Sequence, residues 1–116
     1  MDAELIREYC LKKKQATEGF PFGTDTLVFK VKEKIFLLLS LNHASVHFNI
    51  KCNPGVAIEL REQYQNIVPG YHMNKRLWNT VIVDGTIPKK LIMELIDNSY
   101  NLVVSALSKK QQEDLI

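Results

Sequence analysis

TLVFKVKEKIFLLLSLNHASVHFNIKC, residues 26–52, is the stretch on which the fold turns. Lys30 and Lys32 alternate with Leu27, Phe29 and Val31, the pattern of a strand with one face in a core and one in solvent. Glu33-Lys34 reads as a tight turn. Residues 35–41 form a second strand, whose unbroken apolar run predicts a central position covered on both faces. Residues 42–45 carry turn chemistry. Val46, Phe48, Ile50 and Cys52 then alternate with His47, Asn49 and Lys51 in a third strand. Connections this short join antiparallel neighbours, because a parallel pair needs a crossover of about a dozen residues.

Upstream, Asp2 caps a helix predicted over residues 3–15, with Leu5, Ile6, Tyr9 and Cys10 on its apolar stripe. Lys12, Lys13 and Lys14 suit the negative end of its dipole, and FPFG at residues 20–23 breaks the chain. Downstream, Asn53 caps and Pro54 opens a helix in which Ala57, Leu60, Arg61 and Tyr64 share a face, ending near Asn66. A short strand at 67–73, interrupted by Pro69-Gly70, is joined through residues 74–76 to a longer strand at 77–84. After the Asp84-Gly85 turn, Pro88 opens a last helix striped by Ile92, Leu95, Ile96, Ser99, Leu102, Val103 and Ala106. The order α-β-β-β-α-β-β-α predicts an α+β two-layer sandwich: a five-stranded antiparallel sheet with helices on one side, residues 1–116 as a single domain.

The composition fits that reading. The chain has 116 residues, 46% hydrophobic and 24% charged, which suits one compact unit. The longest apolar run, from Ile35 to Leu39, is far short of the ~20 residues of a spanning helix, and the first residues lack the basic-then-apolar order of a signal peptide. A cytoplasmic protein without membrane contact is expected, and a monomer. Cys10 and Cys52 have no CxxC spacing and read as reduced packing residues.

Nothing in the chain reaches motif strength for catalysis: there is no GxSxG elbow, phosphate loop, HExxH or dinucleotide fingerprint. The expectation is a non-enzyme without cofactor or metal. His43 and His47 are four apart but flank a turn, so they do not read as a metal pair. Glu94 and Asp97 read as solvating charges on the outer face of the last helix.

The remaining cluster is PGYHMNKRLWNTV, residues 69–81. Trp78 reads as packing, and Lys75 is placed to lay its stem across that ring in a cation–π contact. Asn79, among apolar neighbours, must reach solvent or find partners. Asn74 suits a turn. Together the cations, amides and aromatic faces are materials for phosphate contact and base stacking.

FPFGTDTLVFKV, FNIKCNP, PGYHMNKRLWNTV and ELIDNSYNLVVSAL, in this order, resemble the MmcQ/YjbR family of small bacterial proteins over roughly residues 18–107. The resemblance implies a fold akin to frataxin-like (CyaY-like) and secretion-chaperone-like architectures. It also implies binding of double-stranded DNA by two β-hairpin wings. The family's motif positions fall on Phe20, Pro21, Phe22, Gly23, Tyr71, His72, Met73, Asn74, Lys75, Trp78, Asn79, Asp97, Ser99 and Tyr100. The chain departs from the pattern at Lys89-Lys90, where relatives carry acids. The wings would be the Glu33-Lys34 turn and the 74–76 turn, with Lys30, Lys32, Lys34, Lys75 and Arg76 as phosphate contacts. Two alternatives stand beside this. One is a small-ligand or anion pocket of Tyr71, His72, Asn74, Lys75, Trp78 and Asn79; the other is a protein-interaction module using a sheet face or edge.

Overall fold

The computed structural model describes residues 1–41, 44–71 and 73–116. Helix α1 (Ala3–Leu11) starts where the Asp2 carboxylate accepts the Leu5 N–H at 2.8 Å. It stops short of the expected residue 15. Gln15 takes a left-handed φ of 54°, and the chain leaves as a short strand, β1 (Ala16–Gly19), where the sequence offers one β-branched residue as a signal. Then follow β2 (Thr26–Val31), β3 (Lys34–Ser40), β4 (Val46–Lys51), α2 (Pro54–Gln63), β5 (Ile67–Pro69), β6 (Trp78–Val83), α3 (Lys89–Ser105) and α4 (Lys109–Glu113).

Among the described residues six strands form one antiparallel sheet in the order β1-β2-β3-β4-β6-β5, one strand more than the sequence suggested, the addition being β1. The first and second helices cover one face as expected, with α3. Ile6 and Cys10 of α1, Ala57 and Leu60 of α2, and Ile92, Ile96 and Val103 of α3 pack on Leu27, Phe29, Leu37, Phe48, Ile50 and Val81 of the sheet. The α4 turn, which the sequence reading missed, is closed by a reciprocal capping box between Ser108 and Gln111 and brings Leu115 into that core. On the other face Val28, Leu38 and Trp78, flanked by Ile35, Met73 and Leu77, form a second, smaller cluster.

The apolar run in β3 has a local cause. Phe29 pairs with Leu37 but Lys30 with Ile35, so Phe36 is an extra residue, a β-bulge. Phe36 and Leu37 therefore both turn to the helical core, while Ile35 and Leu38 line the opposite face. The strand is central, as expected, but its second face is covered by Trp78 and its neighbours rather than by a layer of helices.

Candidate functional site

The 69–81 segment divides between the two faces of the sheet. Gly70 approaches β6 so closely that a Cβ there would lie 2.8 Å from the Trp78 Cβ and carbonyl oxygen, and its N–H donates to that oxygen at 2.8 Å. Tyr71 is then laid over the helix-free face. Its N–H donates to Thr80 Oγ1 at 3.0 Å, its carbonyl accepts from Asn49 Nδ2 at 3.4 Å, and the Thr80 hydroxyl donates to Asn49 Oδ1. Asn74 makes the next turn: its side chain accepts the Arg76 N–H at 2.9 Å, and its carbonyl accepts the N–H groups of Leu77 and Trp78. Trp78, 9% exposed, packs on Val28 and Leu38.

Asn79, one residue on, faces the other way and is 0% exposed. Its amide donates to the Ala57 carbonyl at 3.2 Å, and its oxygen accepts Arg61 Nε at 2.7 Å; Arg61 Nη2 also donates to the Lys75 carbonyl. Asn79 thus fastens α2 to β6. Of the expected pocket, Tyr71, Asn74, Lys75, Trp78 and Asn79 are not brought together: alternation on β6 sends Trp78 and Asn79 to opposite faces, and Asn74 is spent on its own turn. His72 lies outside the described residues. Lys75 Nζ donates to the Gly70 carbonyl at 3.3 Å; the cation–π contacts found among the described residues belong to Lys13, over Tyr9 and Tyr100, and not to Lys75.

On α3 the residues of the IDNSY run are structural too. Asp97 is not a bare surface charge: it accepts from the Tyr9 hydroxyl at 2.7 Å and from Lys13 Nζ, clasping α3 to α1. That hydrogen bond raises the Tyr9 phenol to about 12. Ser99, wholly buried, donates to the bulged Phe36 carbonyl at 2.5 Å and accepts the Lys51 N–H at 2.8 Å. Tyr100 donates to the Lys14 carbonyl at 2.6 Å and meets Phe36 edge-on at 5.3 Å. Burial pushes the thiols up, Cys10 to about 12 and Cys52 to about 11, and both are unpaired packing residues.

The register also gathers the cations. The β2–β3 turn is Lys32-Glu33, one residue earlier than expected, with left-handed φ values of 49° and 66°. A two-residue turn of that handedness matches the strand twist and leaves Lys34 paired with Val31. Lys51, at the end of β4, pairs with Trp78 at the start of β6. The Lys32-Glu33 turn, Lys51 and the 74–77 turn therefore stand at one end of the sheet. Lys34 and Lys51 line a shallow concavity of about 500 Å³ there with Glu33, Ile35 and Trp78. Lys75 and Arg76 are exposed, Lys30 lies on the helix-free face, and Lys32 is turned to Asp114, with Nζ 3.6 Å from its Oδ2. Lys51 was missed as a site residue, although its alternation with Ile50 and Cys52 places it outward.

Among the described residues no three His, Cys, Asp or Glu side chains converge as a metal set; His43 lies outside those residues. No helix among the described residues is long and apolar enough to cross a membrane.

A family model described as YjbR matches residues 11–102. The chain belongs to the YjbR family. Escherichia coli O157:H7 YbdF is 39% identical over 94 residues, covering 81% of this chain and 77% of YbdF. YjbR of Escherichia coli K12 is 29% identical over 114 residues, 98% of this chain and 96% of its own. The crystal structure of Deinococcus radiodurans protein DR2400 superposes with a TM-score of 0.94 at 36% identity, covering 98% of this chain and 87% of that one. In this YjbR protein Asn74, Asn79, Asp97, Ser99 and Tyr100 therefore hold the scaffold, each answering a backbone or ion-pair need. The motif aromatics left at the surface are Phe20 and Phe22 of the FPFG turn, and Tyr71.

Proposed function

We propose that this YjbR protein is a cytoplasmic binding protein, with no catalytic step, that holds duplex DNA by phosphate contacts at the basic end of its sheet. The observation that carries the reading is the register, which sets the Lys32-Glu33 turn, Lys51 and the 74–77 turn side by side. With strands about 4.8 Å apart, the ends of β3 and β6 lie roughly 10 Å from each other, close to the ~12 Å width of the major groove. Lys34 on one turn and Arg76 on the other are then placed to meet phosphates of both strands. Lys30, Lys51 and Lys75 extend the contact, and Lys32 contributes less because Asp114 already faces it. The sequence shows no helix-turn-helix pattern, so contacts to the backbone, not to base edges, dominate this reading. Left-handed φ at two non-glycine residues on the β2–β3 turn fits this role, since such conformations concentrate at working sites.

Fluorescence anisotropy with a labelled random-sequence duplex over a salt series tests it. Wild type is expected to weaken with a log–log slope of about −0.9 per phosphate neutralised, and a Lys75→Ala, Arg76→Ala double variant to lose up to about two such units. A flat salt profile, or a double variant indistinguishable from wild type, would overturn the reading.

A further inference from the structure

A concavity of about 600 Å³ lies on the helix-free face of the sheet, toward the end opposite the basic turns. We infer that it is a binding site for a neutral, flat heteroaromatic ring with a hydrogen-bonding edge. Leu38 of β3 and Ile82 of β6 give its floor two apolar points, with His47 and Asn49 of the intervening β4 between them, and its walls carry the rings of Phe22 and Tyr71, 66% and 68% exposed. Two exposed rings at one concavity favour a flat partner, which gains stacking as well as burial. At the far side Thr26 and Ser40 are cross-strand partners, and their hydroxyls make no hydrogen bond to the described residues. Two adjacent hydroxyls, each able to donate or accept, match the mixed donor–acceptor edge of a heterocycle.

Charge narrows the class. Among the described residues that line the concavity the ionisable side chains are His47 and Tyr71, and none carries a carboxylate, ammonium or guanidinium group. With no permanently charged side chain to answer it, a charged ligand would lose hydration there, so a neutral one is selected. The site is also built in advance. Thr80 and Asn49 hold the Tyr71 backbone from both its N–H and its carbonyl, and Gly70 is tied to Trp78, so the wall needs little ordering when a ligand enters. The volume falls within the roughly 300–1,000 Å³ of small-molecule sites.

Such a ring can arrive as a free small molecule or as an unpaired base of a nucleic-acid strand. Adenosine, cytidine and thymidine, which carry no phosphate, test the ring chemistry by itself, so the outcome is separate from that of phosphate contact at the basic end. Backbone amide chemical shifts are followed on titration of each into the full chain. Saturable shifts centred on Thr26, Leu38, Ser40 and Ile82 are expected with at least one nucleoside. Loss of a stacking wall in Tyr71→Ala should weaken binding about tenfold, while Phe20→Ala, outside the concavity, should not change it. If Tyr71→Ala fails to fold, Tyr71→Leu keeps apolar bulk without the ring and is expected to show the same loss. No saturable shift with any nucleoside, or binding indifferent to Tyr71, overturns the inference. Given binding, tighter binding of a short single-stranded oligonucleotide assigns the ring to an unpaired base; nucleosides bound as well or better assign it to a free molecule.

Discussion

Ser99 serves two main-chain groups at once, the Phe36 carbonyl that the bulge removes from the ladder and the Lys51 N–H at the end of β4. Ser99→Ala strands both in the core and is expected to cost about 2–4 kcal/mol, read as a lower denaturation midpoint at unchanged slope. Gly70 is required by space, not by φ. Gly70→Ala drives a Cβ against Trp78 and should cost about 1–3 kcal/mol, with near-ultraviolet circular dichroism reporting the displaced indole. At the β2–β3 turn the preference runs the other way. Asn-Gly in place of Lys32-Glu33 relieves two left-handed non-glycine residues and should stabilise the protein by about 1–2 kcal/mol, which thermal unfolding will detect. At this scale the sequence was readable where a residue answers its neighbours. The Asp2 cap, the Asn53 cap and the Asn74 turn follow from local chemistry. The partners of Asn79, Asp97 and Ser99 lie across the fold, so their need for partners was visible but their identity was not.

The clasp between α1 and α3 is a property of two elements and carries a pH dependence. Tyr9 donates to Asp97, and the folded state holds the phenol at about 12 against an ordinary 10.0. A raised value means that the neutral phenol is the stabilising form. Its contribution is complete below pH 10.0 and fades as pH climbs toward about 12. Wild type should lose midpoint stability across that window more steeply than Tyr9→Phe, and urea titrations at stepped pH will show whether it does. β2, β4 and the long helices were legible because each has a clear period, and β3 because of its apolar run. β1 was not, because ATEG has neither alternation nor β-branched density and is a strand only by pairing with β2. The bulge was hidden by its own signature, since two consecutive inward residues make a run that looks like double burial.

Across the whole molecule, polar needs and apolar faces are distributed unequally. On the helical side Cys10 is sealed, whereas Cys52, 6% exposed, lines a concavity between α2 and α3. Cys10, pushed by burial to about 12, should react with a thiol reagent near pH ~8 only as fast as the chain opens, and at once in denaturant. The helix-free side keeps its cations at one end and its aromatic concavity at the other. The cation end was partly legible, because lysines crowd two turns, yet that the turns converge depends on a strand order that no local pattern contains. The concavity escaped because Thr26, Ser40, Asn49 and Thr80 are scattered in sequence and meet only through register. The hydrogen bond from Ser99 to Phe36 spans 63 residues, and this sets a schedule for the newborn chain. At about 5–20 residues per second, roughly 3–13 s separate the two residues at the ribosome. Within that interval the β1–β4 meander is completed, while α3, the long helix that packs on its inner face beside α1 and α2, is still being made. Stalling before residue 99 therefore leaves a sheet whose inner face α1 and α2 cover only in part.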